Sequence, residues 1–185
     1  IKPDDALAHS FLGAAYGESG KYEEAIESYK QSMRIRIDPD YAGTHYDLAT
    51  DKDIHYNLGL AYCNTGKYEE AIESYKQAIQ IDPDFAEAHC LLGLAYGQSD
   101  MHKEAIEAFK QAIRIDPDLA GAHTGLGIGY NFIGKHNEAI KALKQAIRIK
   151  PDDALSHFYL GNSYEQLDKH KEAIESFKQA IRINP

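Results

Sequence analysis

The feature that most constrains this chain is a period of 34 residues: stretches opening at Lys52, Ala86, Ala120 and Ala154 stand that far apart, and a related one opens at Ala6. A fixed period of this size marks an array of one supersecondary unit, in which each copy buries its apolar face against the next. Fold class therefore follows from the period before any single residue is considered.

Residues 86–119 show what the unit contains. His89, Leu92, Gly93 and Tyr96 fall three and four apart, so a first helix over 86–97 gathers them on one face. The polar run Gln98-Ser99-Asp100 stops it. From His102 to Ile115 the apolar residues Ala105, Phe109, Ala112 and Ile113 recur at helical spacing, with Lys103, Glu104, Glu107 and Lys110 on the remaining arc. Asp116-Pro117-Asp118 ends this second helix, because proline lacks an amide hydrogen and disfavours helix in the residue before it. Gly93 and Ala105 let the two helices approach, and Tyr96 and Phe109 fill the space around them.

The unit aligns across the chain. A glycine step runs through Gly13, Gly59, Gly93, Gly127 and Gly161, followed three residues on by Tyr16, Tyr62, Tyr96, Tyr130 and Tyr164. An alanine step runs through Ala25, Ala71, Ala105, Ala139 and Ala173, and a large-residue step through Tyr29, Tyr75, Phe109, Leu143 and Phe177. This pattern resembles the tetratricopeptide repeat, in a multi-repeat array of the prokaryotic type. One departure is consistent: the first large position, often tryptophan in the family, is histidine in every copy. The resemblance implies an all-α, right-handed superhelical solenoid of antiparallel helix pairs. Its repeats are expected over 6–39, 52–85, 86–119, 120–153 and 154–185, with an insertion at 40–51 and with residues 1–5 matching the tail of a preceding repeat.

The insertion begins as a repeat does, then a new start follows at Lys52. With no proline between positions 41 and 64, one helix of about 24 residues is expected, roughly 36 Å long. The alternative is a fresh helix capped by Thr50, with Asp53 at its third position. In the fourth repeat, Gly121, Gly125, Gly127 and Gly129 crowd one first helix, each interior glycine costing about 1 kcal/mol of helix preference. The string lacks the spacing and preceding strand of a phosphate-binding loop, so close approach of another backbone is the expectation.

Charge and cysteine usage narrow the function. A net charge of -9 disfavours a nucleic-acid partner, which needs a basic face. No segment is apolar and long enough to enter a membrane, and Cys63 and Cys90 fit no zinc or disulfide spacing, which points to a reducing, cytoplasmic setting. His9, His45, His55, His89, His123 and His157 share one first-helix position, and His102, His136 and His170 open second helices. Spread along the array they make no metal site, and no cofactor is expected. Buried and neutral, the first set would weaken the fold as pH falls through about 6. Serines such as Ser10, Ser99 and Ser163 lack a nucleophile elbow, and the carboxylates at Glu23-Glu24, Glu69-Glu70 and Glu172 read as solvated helix faces. No enzymatic activity is expected.

Binding is what the resemblance implies: first helices line a concave groove that recognises an extended peptide or a helix. The matching positions are Ser10, Ala14 and Glu18; Tyr56, Asn57, Leu60 and Asn64; Cys90, Leu91, Leu94 and Gln98; Thr124, Ile128 and Phe132; Phe158, Tyr159, Asn162 and Gln166. Some members clamp a carboxylate with cations and amides, but here those places hold Ser10, Ala14, Asn57, Glu87 and Leu91, one match in five. The lining is neutral and apolar, suited to an amphipathic helix or an apolar-anchored peptide, with acidic surroundings that favour a basic partner. A protein-interaction scaffold is the expected function. A substrate-presenting arm of a larger enzyme is the alternative, as is an array that mainly self-associates to a homo-oligomer through exposed Ile174, Phe177 and Ile181.

Overall fold

In a computed structural model, residues 5–36 and 48–184 are described, with side chains from residue 51 onward in the second stretch. They form ten helices: α1 (Ala6–Glu18), α2 (Tyr22–Arg36), α3 (Leu48–Asn64), α4 (Tyr68–Ile81), α5 (Ala86–Gln98), α6 (His102–Ile115), α7 (Ala120–Phe132), α8 (His136–Ile149), α9 (Ala154–Glu165) and α10 (His170–Ile183). No strand is present among the described residues. Helices pair in sequence, α1 with α2 through to α9 with α10.

The chain divides into two compact units, Ile1–Asp84 and Phe85–Pro185. In the first unit α3 packs on α1 and α2, and in the second α7 packs on α5 and α6, as α9 does on α7 and α8. Both units draw their cores from the alanine and large-residue steps: Ala25, Tyr29, Ala71 and Tyr75 in one, Ala105, Phe109, Ala139 and Leu143 in the other, are all buried. The glycine step is where these residues land. A Cβ on Gly59 would lie 2.6 Å from Tyr75 Cε1, and one on Gly93 would lie 2.8 Å from Phe109 Cε1.

Each first helix ends by a device that the polar run only partly announces. The amides of Lys21, Lys67, Met101, Lys135 and Lys169 reach back to the carbonyls of Tyr16, Tyr62, Tyr96, Tyr130 and Tyr164 at 2.8–2.9 Å. This five-residue reach requires one left-handed residue. Glycine supplies it at Gly20, Gly66 and Gly134, and aspartate at Asp100 (φ 59°) and Asp168 (φ 57°), aspartate being among the few side chains that tolerate that region. Second helices open on acidic first turns, Glu69-Glu70 in α4 and Glu104 in α6, which complement the positive helix terminus. They close at an extended cap, Asp82 or Asp116, whose carboxylate accepts the amide of Asp84 or Asp118 across the proline turn.

The insertion is only partly described. Helix α3 begins at Leu48, so Thr50 lies within it and does not cap a fresh helix; the part of the expected long helix before Leu48 falls outside the described residues. The glycine-rich α7 is also explained. Gly127 faces Leu143 of α8, whereas Gly125 and Gly129 face Phe109 and Ile106 of α6, with Cβ positions 2.3 Å and 2.9 Å from those side chains. The close approach is made by side chains of the preceding helix and not by a backbone.

Histidine at the first large position has a role too. His123 is buried, and its Nε2 donates to the carbonyl of Pro117 at 2.9 Å; His157 makes the same bond to Pro151 at 3.1 Å. The imidazole thus ties α7 and α9 to the turns that precede them. Burial is not shared across the set: His9, His55, His89 and His157 are part-exposed, and His45 lies outside the described residues.

Candidate functional site

In the second unit α5, α7 and α9 lie side by side, and their outer surfaces carry large apolar groups that the pairing helices cannot reach. A depression of about 390 Å³ opens there, lined by Leu94, Gln98, Ile128 and Phe132 together with Leu155, Tyr159 and the floor residues Gly93, Phe109 and Gly125. Five of the expected groove residues, Leu94, Gln98, Ile128, Phe132 and Tyr159, therefore share one cavity. Phe132 is 62% exposed and stacks on His102 at 4.4 Å between ring centroids, which holds an otherwise wet ring in place. Leu94, Leu155 and Phe158 are exposed as well.

Other expected residues lie elsewhere. Thr124 is 5% exposed, so it offers a ligand no surface; its hydroxyl bonds to Ser156 (2.7 Å), Asp153 (3.2 Å) and the Ala120 carbonyl (3.1 Å). Its short β-branched hydroxyl is drawn between α7 and α9. Cys90 and Ser10 are buried too. Phe158 leans edge-on against Tyr159 at 5.4 Å and contacts Phe177 at 5.8 Å, outside the cavity lining, as are the part-buried Leu91 and Asn162. Phe177 is not the exposed residue expected: it packs over Gly161, where a Cβ would stand 2.6 Å away, while Ile174 (55%) and Ile181 (65%) are exposed.

The first unit has its own depression, of about 420 Å³, between α1, α2 and α3. Asn57, Leu60 and Asn64 line it with Ala14, Glu18 and Tyr29. Tyr56 does not; its ring meets Tyr75 edge-on at 6.2 Å. Burial and the nearby Glu18 carboxylate push the Tyr29 phenol up to about 12.

Leu155, His102 and Asp100 were not among the residues expected in the cavity. Leu155 stands four residues before Tyr159, a spacing that puts both on one stripe, so a stricter reading of periodicity finds it. His102 and Asp100 belong to the turn and the next helix, and nothing in their spacing signals the stack with Phe132.

Charge is unequally shared. Of the 29 acidic and 20 basic residues, 16 and eight fall in positions 1–84, leaving -8 there and -1 in 85–185. The acidic surroundings expected for the whole groove thus belong to the first unit.

Ser156, Cys63 and Cys90 are poorly disposed to attack a substrate. Ser156 bonds to Asp153 at 2.5 Å but is fully buried. Burial pushes the Cys63 thiol up and the Cys90 thiol up to about 11, which leaves little of the thiolate that nucleophilic attack needs. Among the described residues no three or more His, Cys, Asp or Glu side chains gather as a metal site, and no helix is long and apolar enough to cross a membrane.

Comparison with known proteins agrees with this architecture. The TPR repeat family profile matches residues 13–50, 60–100 and 133–168, and the tetratricopeptide repeat profile matches 86–119 and 154–185. No curated protein sequence matches the chain. Among solved structures, a crystal structure of MamA is 30% identical, with a TM-score of 0.78 over 93% of this chain and 94% of that one. A second crystal structure of MamA is 28% identical, with a TM-score of 0.80 over 96% and 91%. MamA residues 41 to the end from Desulfovibrio magneticus RS-1, 22% identical, shares the fold with a TM-score of 0.83 over 99% and 97%. Paired helices, the glycine and alanine steps and the family matches together assign the chain to the tetratricopeptide-repeat family, whose folds serve as protein-interaction scaffolds.

Proposed function

We propose that the chain is a non-catalytic scaffold whose second unit holds a protein segment, an amphipathic helix or an apolar-anchored peptide, on its concave face. The observation that carries this reading is the concentration of exposed Leu94, Phe132 and Leu155 around one 390 Å³ depression. Isolated apolar side chains are common on protein surfaces, but a contiguous set around a concavity marks an interaction surface. Large side chains of a partner would fill the space between Leu94, Ile128 and Phe132, while Gln98 offers an amide donor and acceptor beside them.

Affinity capture from the source lysate tests this, comparing the parent with a Leu94→Asp, Phe132→Asp double variant. Both side chains are exposed, so the variant keeps its helix content by circular dichroism. A partner held by the parent and lost by the folded variant supports the reading; identical partners for both sink it.

A second reading rests on α10. Ile174 and Ile181, two helical turns apart, lie one above the other on an exposed face of α10. Self-association through this face would cover them. Light scattering over a dilution series is the check: a monomer at every concentration rejects it, and concentration-dependent mass abolished by Ile174→Glu supports it.

A further inference from the structure

We propose that the depression of the first unit is a second docking site of different chemistry, which takes an extended peptide segment through an arginine side chain held by Glu18 and the amides of Asn57 and Asn64. Charge complementarity is the first argument, since positions 1–84 carry -8 of the net -9. Six of the unit's described cations are engaged elsewhere. Arg36 pairs with Asp51 and Lys52 with Asp82, both at 2.5 Å, Lys67 with Glu23 at 3.0 Å and Arg34 with Glu27 at 3.4 Å. Lys21 and Lys30 lie over the rings of Tyr16 and Tyr62. None of these cations lines the depression, and its one carboxylate is Glu18, exposed at the end of α1.

The acceptors around Glu18 fit a guanidinium. Asn64 donates its Nδ2 to the Leu60 carbonyl at 2.8 Å, which leaves its side-chain oxygen to accept. Asn57 stands seven residues, two helical turns, before Asn64, so both amides follow the same face of α3. Glu18 lies close enough to the Tyr29 phenol at the floor of the site to add to the upward push that burial gives it. Arginine presents five donors in a fixed fork and is matched by a carboxylate flanked by amide oxygens, while Ala14, Leu60 and Ala61 give its methylene stem an apolar bed. The cavity of the second unit differs: its carboxylate, Asp100, stands 3.9 Å from His102, and its walls are leucine, isoleucine and aromatic. The chain therefore offers two unlike sites, one for a cation on a polar strand of peptide and one for apolar anchors.

The test uses the full 185-residue chain, labelled with nitrogen-15, and follows the side-chain amide signals of Asn57 and Asn64. The probe is an acetylated, amidated heptapeptide of alanine and glycine with one central arginine, set against the same peptide with citrulline, its neutral isostere. The arginine peptide is expected to shift both amides saturably and to bind about fivefold more tightly than the citrulline peptide, the range of one exposed, charge-assisted ion pair. Glu18→Gln should reduce it to the citrulline level, and about 0.5 M salt should do the same. Equal affinity for the two peptides, a titration that Glu18→Gln leaves unchanged, or no shift at Asn57 and Asn64 overturns the site. Shifts confined to Leu94 and Ile128 overturn it as well, while leaving the reading of the second unit intact. Leu94→Asp is expected to leave the arginine titration as it was.

Discussion

At the residue scale, glycines that look alike in sequence do opposite work. Gly125 has no room for a methyl group, with Phe109 Cζ 2.3 Å from the place a Cβ would take, whereas Gly97 has nothing within 4 Å. Gly125→Ala should cost about 2 kcal/mol, since overpacking against a buried ring outweighs the gain of about 1 kcal/mol in helix preference. Gly97→Ala should stabilise by about 0.5–1 kcal/mol. Urea denaturation of the two variants beside the parent checks both signs. His55 is the other telling residue: its Nδ1 is buried without a hydrogen-bond partner, and burial holds its pKa below the usual value despite the opposing pull of Asp51 and Glu73. The unfolded chain therefore binds the proton more tightly than the folded one, so this contribution is complete above about pH 6.5 and declines as pH falls below it. Melting temperature is expected to drop between about pH 7.5 and 5.5 by less in His55→Gln than in the parent; an equal drop places the effect on other groups.

At the element scale, the joint between α7 and α9 is polar. Ser156, fully buried, bonds to both Asp153 and Thr124, and Ser163 donates to Asn131 Oδ1 at 2.8 Å while Asn131 Nδ2 donates to the Tyr159 carbonyl at 3.2 Å. Removing the Ser156 hydroxyl takes one bond from the buried Thr124 and one from the part-buried Asp153, each of which keeps another partner, so Ser156→Ala should cost about 1 kcal/mol. Ser28, by contrast, bonds only to the Glu24 carbonyl within its own helix, and Ala108 and Ala142 fill the equivalent place later in the chain. Ser28→Ala should change stability by less than about 0.5 kcal/mol. Differential scanning calorimetry of the pair distinguishes a joint held by hydrogen bonds from one held by apolar contact alone.

At the scale of the whole molecule, the uneven charge makes ionic strength a probe of each unit. Like charges repel within positions 1–84, and salt screens that repulsion over a distance of about 30 Å at 0.01 M and about 4–5 Å at 0.5 M. Hydrogen exchange in α1–α4 is expected to slow as salt rises across that range, with a smaller change in α5–α10. A uniform response would show that the net charge of 1–84 is balanced locally by its ion pairs.

Helix identity and most boundaries were legible in the sequence, because the 34-residue period, the proline turns and the alternation of glycine and large residues are local signals that repeat. The second helix expected from His102 to Ile115 is α6 to the residue, and the first helix expected over 86–97 is α5 extended by one position. The groove positions were legible only as places on a helix. Five of them, Leu94, Gln98, Ile128, Phe132 and Tyr159, do line one cavity, but whether a side chain at such a place faces solvent, as Phe132 does, or is drawn into a joint, as Thr124 is, depends on what the next first helix presents. Ser156 and Asp153, about 30 residues further on, decide it for Thr124. The exposure of Phe177 was likewise settled across the pair, by the missing Cβ of Gly161. Periodicity specifies which residues share a helix face, because that is a property of one helix. Only tertiary packing decides which of those faces remain open, because burial is a property of two.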